Sequence, residues 1–191
     1  MNEEEQALIK EAQRGNILAF ESLVKRYDRQ VLQLAYSMVN NVTDAQDIYQ
    51  EVFIKVYQNL PRFRLKSKFS TWLYRIVVNA CINYRKKHSR RRLQSLEAES
   101  TEAADSKREH VPCDQLNPEE TVLNQELSSE INLALEQLST QQKSVFILRH
   151  YHGHKLRDIA EIMHCSEGTI KNYLFRATRN LQMLLTEYAQ Q

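Results

Sequence analysis

Along the first 95 positions apolar residues recur at three and four, the period of helices that each bury one face. Ala7, Leu8 and Ala12 mark a first short helix ending near Gly15. A longer one is expected from about Ile17 to Val39, with Phe20, Leu23, Val24, Tyr27, Val31, Leu34 and Met38 as its buried stripe. The run NNVTD stops it. Thr43 with Gln46 has the spacing of a capping box for a third helix, which reaches about Asn59, just before Pro61. Residues 61–69, PRFRLKSKF, keep no period and read as a loop. Ser70 is placed to cap a fourth helix, STWLYRIVVNACINYRKK, with Leu73, Ile76, Val77, Ala80 and Tyr84 as its core face.

The period then breaks. From about Leu96 to Asn117 the chain is polar, acidic and aperiodic, the composition of a flexible linker. Asn117, Pro118 and two glutamates start a helix that continues to about Leu138. Ser139 with Gln142 caps the next, which ends near the turn HGH. KLRDIAEIM, residues 155–163, makes a short helix, His164 and Cys165 a tight turn, and Ser166 caps a final helix through about Tyr188. The expected fold is all-α. Two small helical domains, 1–95 and 118–191, are joined by a flexible acidic linker over 96–117, and the C-terminal one contains a helix-turn-helix.

Composition agrees with that division. A chain of 191 residues that is 42% hydrophobic supports one ordinary domain or two small ones, and only 3 Gly and 3 Pro favour helices over turn-rich sheet. MNEEEQALIK lacks the basic start and apolar run of a secretory signal, and nowhere do about 18 apolar residues follow one another. A cytoplasmic protein with no direct membrane insertion is expected. Cys81, Cys113 and Cys165 are odd in number and widely spaced, which fits reduced thiols rather than a disulfide framework. The net charge of +2 hides a segregation: Lys and Arg number 17 against 9 acidic residues over 1–95, 2 against 11 over 96–140, and 7 against 4 over 141–191. Basic modules that meet a polyanion, joined by a segment that does not, produce such a profile.

In the last helix Ile170, Leu174, Ala177, Leu181 and Leu184 define a buried face and leave Lys171, Asn172, Phe175, Arg176 and Arg179 outward. Such a row suits a major groove: Lys or Arg donates to guanine, Asn pairs with adenine and Phe meets a thymine methyl. Ala160 allows a close helix crossing, which raises this reading above that of a merely solvated face. Ser166, Thr169, Arg149, Arg157 and Arg179 are then the phosphate contacts that position the helix. His150, His152, His154, His164 and Cys165 offer a different chemistry, but the three alternating histidines spread around the backbone and lack paired zinc spacing, so no metal or cofactor is expected.

Between Glu51 and Glu97 no acidic residue occurs, whereas eleven Lys and Arg fall between Arg62 and Arg92, interleaved with Phe63, Phe69, Trp72, Tyr74 and Tyr84. Cations follow phosphates and exposed rings stack on unpaired bases, the make-up of a surface for melted or single-stranded DNA. Some of these rings, Tyr84 among them, belong to the core. In the preceding helix Asp47, Gln50, Glu51 and Ile54 share one face opposite Ile48, Val52 and Val56. An acidic stripe cannot serve DNA, and it points to a protein partner with a positive surface, with a merely solvated face as the competing reading.

DAQDIYQEVFIKVY, FSTWLYRIVVNACINYRKK and LSTQQKSVFILRHYHGHKLRDIAEIMHCSEGTIKNYLFRATRNLQ together resemble a bacterial RNA polymerase sigma factor of the sigma-70 family, extracytoplasmic-function group. The resemblance covers about residues 5–92 and 120–187. It implies region 2 over 1–95, which docks on core polymerase and binds and melts the −10 element, and region 4 over 118–191, which binds the −35 element. By that resemblance Asp47, Gln50, Glu51 and Ile54 meet the polymerase clamp. Arg62, Phe63, Arg64, Lys66, Lys68, Phe69 and Trp72 capture bases of the melted −10 element, and Arg75, Asn79 and Asn83 contact its upstream edge. Ser166, Thr169, Lys171, Asn172, Phe175, Arg176 and Arg179 serve the −35 element. Core RNA polymerase, promoter DNA and an anti-sigma factor are the implied partners. The loop RLKSKF is more basic than the family's commoner loops, and Lys171 and Asn172 stand where Arg and Ser are frequent.

A helix-turn-helix regulator that never joins polymerase explains residues 139–188 equally well but leaves the acidic stripe and the basic aromatic stretch without a purpose. A metal-dependent enzyme lacks both a Gly-rich phosphate loop and a nucleophile-base pair, so no catalysis is expected.

Overall fold

A computed structural model describes residues 3–97 and 130–188, and every regular element among them is a helix. The chain divides into two compact units. The first holds α1 (Glu3–Gln13), α2 (Ile17–Val39), α3 (Val42–Asn59), a 3-10 turn over Leu60–Arg62 and α4 (Phe69–Glu97). The second holds α5 (residues 130–137), α6 (Thr140–His150), α7 (Leu156–Met163) as far as Ala160, and α8 (Glu167–Tyr188). The start of a helix at Asn117 and Pro118, and the linker beyond Glu97, lie outside the described residues.

In the first unit α2 buries Leu23, Tyr27, Val31, Leu34 and Met38 as its period requires, together with Ala19 and Ala35, while Phe20 and Val24 are only half-buried. Two asparagines make the whole connection from α2 to α3. Asn40 ends α2 in the left-handed region at φ 54°, and the Asn41 side chain accepts the Asp44 N–H at 3.0 Å. The cap is therefore Asn41 and not Thr43, because asparagine both tolerates left-handed backbone and caps well. In α1 the buried set is Glu5, Ile9 and Ala12, and Ala7 is exposed. Glu5 is tolerated inside because the Tyr27 hydroxyl donates to its carboxylate. Burial first, and then that carboxylate, push the Tyr27 phenol far above its ordinary value, so it stays protonated. Helix α4 begins at Phe69, one residue before Ser70, and runs to Glu97, past the expected end at the paired lysines. Leu73, Val77, Val78, Ala80 and Cys81 form its core face, and the Tyr74 hydroxyl donates to Gln30 on α2 at 2.6 Å.

In the second unit Ser139 and Gln142 form the capping box reciprocally, each bond at 3.3 Å. Ala134, Leu135 and Leu138 pack with Ala177 and Leu181 of α8, flanked by Ile131, Phe146, Leu184 and Leu185. Lys143 is fully buried on α6, and it is tolerated there because Glu136 of α5 meets its ammonium at 2.5 Å. After α7, His164 takes φ 58° and the Cys165 N–H donates to the Ala160 carbonyl at 3.1 Å. That six-to-one bond is a Schellman closure with histidine in the usual glycine position.

Candidate functional site

On α3, Asp47, Gln50, Glu51 and Ile54 are all exposed, opposite the buried Ile48, Val52 and Val56. Glu51 is ion-paired with Lys55 one turn on. Ile54 is 58% exposed at the end of the acidic row, so the stripe offers both charge and an apolar contact.

The loop after the 3-10 turn separates its charges from its rings. Arg62, Arg64, Lys66 and Lys68 are exposed, but Phe63 is only 8% and Phe69 only 1% exposed. Phe69 lies 5.4 Å from Tyr27, 5.9 Å from Phe63 and 5.6 Å from Trp72, and Phe63 stacks on Trp72 at 4.8 Å. Through these contacts Phe63 and Phe69, both expected among the base-capturing residues, form the apolar floor of the loop. Trp72 is half-buried, so it is the ring of this set that retains surface for stacking. Leu65 takes φ 57°, a left-handed turn in the middle of the basic run. Arg75, half-buried, and Asn79 and Asn83, exposed, continue the Trp72 face of α4 at helical spacing. One contact at the loop's root carried no local sequence signal: the Gln13 side chain of α1 donates to the Leu60 and Phe63 carbonyls.

On α8, Lys171, Asn172, Phe175, Arg176 and Arg179 are exposed and Ile170, Ala177 and Leu181 are buried. Phe175, at 66% exposure, has no core role. Lys171 pairs with Glu167 at 3.2 Å. The Ser166 hydroxyl accepts the Thr169 N–H at 3.1 Å and shares a second hydrogen bond with the Thr169 hydroxyl at 2.8 Å. One of the two hydroxyl protons is thus used internally, and one is left for an outside acceptor such as phosphate. Arg149 and Arg157 are exposed as well, with Arg149 donating to the His154 carbonyl at 3.1 Å.

The histidines of the neighbouring turn do not act as one group. The His150 ring lies against Phe146 at 4.5 Å, while His152 and His154 are half-buried. Desolvation holds both below the ordinary histidine value; His154 depresses His152 further, and Asp158 partly offsets the effect at His154. Burial pushes the Cys165 thiol up. Among the described residues no three His, Cys, Asp or Glu side chains gather at one point, and no described helix is long and apolar enough to cross a membrane.

Comparison with known proteins adds three kinds of similarity. Residues 23–91 match the family description "Sigma-70 region 2" and residues 128–181 match "Sigma-70, region 4". The chain is 36% identical over 190 residues to the RNA polymerase sigma-H factor of Pseudomonas aeruginosa, covering 97% of each. It is also 36% identical over 177 residues to the ECF RNA polymerase sigma-E factor of Escherichia coli, covering 91% of this chain and 90% of that one. The fold resembles that of the sigma factor RpoE from Bartonella quintana, solved in complex with the anti-sigma factor NepR, with a TM-score of 0.65 at 24% identity over 87% of this chain and 96% of that one. Sigma factors are initiation factors and not enzymes, and on both region matches and near full-length identity the chain belongs to the extracytoplasmic-function group of the sigma-70 family.

Proposed function

We propose that this chain joins core RNA polymerase in the cytoplasm and directs it to promoters, with residues 1–95 acting as region 2 and 118–191 as region 4. The observation that carries the reading is an acidic, apolar-tipped stripe on α3 in the same compact unit as the basic stretch of the loop and α4 from Arg62 to Arg90, which holds no acidic residue. A DNA-binding module needs only the second. Asp47, Gln50, Glu51 and Ile54 are assigned to docking on a positive polymerase surface. Arg62, Arg64, Lys66 and Lys68 follow the phosphates of the melted −10 strand, Trp72 stacks on an unpaired base, and Arg75, Asn79 and Asn83 extend the contact. Lys171, Asn172, Phe175 and Arg176 read the −35 major groove, with Ser166, Thr169 and Arg179 on phosphates. An anti-sigma factor that covers these surfaces would control the protein, an assignment supported by the complex in which the Bartonella relative of this fold was solved.

The test is reconstitution with core polymerase on a promoter library. The protein should co-elute with core and open a subset of promoters, and failure at both defeats the reading. Glu51→Arg, which sets like charge against the partner, should weaken core binding by at least about tenfold, or about 1.4 kcal/mol, while leaving −35 duplex binding unchanged. Unchanged core affinity would remove α3 from the docking surface. Binding of −35 duplex with no dependence on core, and no opening of any promoter, would identify a helix-turn-helix regulator instead.

A further inference from the structure

Helix α1 precedes the segment that matches region 2, yet it is built into the root of the basic loop. Gln13, its last residue, donates from Nε2 to the Leu60 carbonyl at 3.0 Å and to the Phe63 carbonyl at 2.7 Å. Both amide hydrogens are engaged, and two carbonyl acceptors on the same side fix which end of the amide faces the turn. The Leu60 carbonyl also receives the Phe63 N–H at 3.0 Å, so Gln13 holds the 3-10 turn at both its ends. Phe63 stands inside the exposed basic run, between Arg62 and Arg64. Its backbone is held by Gln13 and its ring is stacked on Trp72 at 4.8 Å. Beyond it Leu65 is in the left-handed region, a conformation that an unsupported leucine seldom keeps.

The other end of the strut is fixed too. Ile9 of α1 is fully buried, the Tyr27 hydroxyl donates to Glu5, and Arg26 pairs with Glu4 at 3.1 Å. Helix α1 therefore runs from a clamp on α2 to a clamp on the loop root. The hydrogen bonds of Gln13 are only partly buried, so water can replace them at modest cost to the fold. What water cannot replace is the fixed position of the turn.

We infer that Gln13 is a positioning residue for promoter melting: by holding the Leu60 and Phe63 carbonyls it sets the basic loop and Trp72 in the geometry that receives an unpaired base. The inference rests on the reading of that loop as the −10 contact. It makes α1 a part of the −10 recognition apparatus.

The test compares Gln13→Glu, which keeps the shape and turns the donor into a repelling oxygen, with Gln13→Lys, which restores donors at similar reach. Holoenzyme made with each variant is titrated with a fluorescent single-stranded −10 oligonucleotide, with core affinity, −35 duplex affinity and thermal melting as controls. Trp72, the one tryptophan of the chain, reports the loop root by its emission in the free protein. Gln13→Glu should bind the oligonucleotide about tenfold more weakly, as when two hydrogen bonds of preorganisation must be supplied at binding, and should shift the Trp72 emission. Gln13→Lys should restore both, and the controls should not move. Equal oligonucleotide binding by wild type and Gln13→Glu overturns the inference, whether or not Trp72 responds. So does a parallel loss of core and −35 binding, which would make Gln13 a general stabiliser. If wild-type holoenzyme binds no −10 single strand, the loop assignment itself fails and the inference falls with it, a result distinct from equal binding by both.

Discussion

Lys171 and Arg176 share the exposed face of α8 but start from different conditions. Lys171 must leave Glu167, 3.2 Å away and itself half-exposed, before it can donate to a base. Pairs of that kind contribute only about 0.2–1 kcal/mol, so the base contact proposed for Lys171 would be reduced but not cancelled. Arg176→Ala should cost about 1–3 kcal/mol on the preferred −35 duplex, and Lys171→Ala less by roughly the strength of the Glu167 pair. Glu167→Gln should tighten binding, since it releases Lys171 and removes a negative charge near the phosphates. Electrophoretic or anisotropy titrations on preferred and scrambled duplexes decide the matter, and an Arg176→Ala loss of equal size on both would make it a phosphate contact. The outward row of α8 was legible in the sequence because Ile170, Leu174, Ala177 and Leu181 assign every position between them to a face. Phe63 and Phe69 had no such frame. They sit in or beside an aperiodic run, and what buries Phe69 is contact with Tyr27 on α2, far away in sequence.

Helices were legible wherever a long apolar period met a strong stop, as in α2 and at the end of α3 before Pro61. Their starts were less so: NNVTD holds several capping residues, and only the left-handed Asn40 decides that Asn41 caps α3. The turn between α6 and α7 has a consequence for stability that spacing could not foretell. His152 and His154 are kept neutral by burial, below the ordinary value of about 6.5. A base whose folded value is lowered takes its proton first in the unfolded chain, so its contribution is full above about pH 6.5 and is lost as pH falls below it toward the folded values. Melting of the second unit should therefore move to lower temperature as pH falls from about 7 to 5, and a His152→Gln, His154→Gln double variant should flatten that slope. A wild-type profile with no slope across this window would show that the turn leaves both rings equally solvated in the two states.

Charge segregation along the chain announced two basic modules, and the structure answers with two units, each with its own buried core. The anchoring of the loop by Gln13 stayed hidden because a glutamine at a helix end has no distinctive neighbours in sequence and its acceptors lie about 50 residues on. Division into two units makes the covalent connection a working part. On the proposed assignment each face offers a handful of cations and one or two aromatic contacts, too little to hold a promoter alone at physiological salt. Linked, the second contact becomes intramolecular, and avidity gains of about 100-fold to 10,000-fold follow without any new contact. Residues 1–97 and 118–191, supplied to core polymerase as separate chains, should therefore give at least about 100-fold less open complex than the intact protein at equal concentration. Core binding and single-strand −10 binding by the first piece should survive, since both proposed surfaces lie within it. Permanganate footprinting of the melted bases measures the outcome directly. Equal opening by the unlinked pieces would mean that each element is bound tightly enough by itself, and the two-point account of promoter recognition would have to be given up.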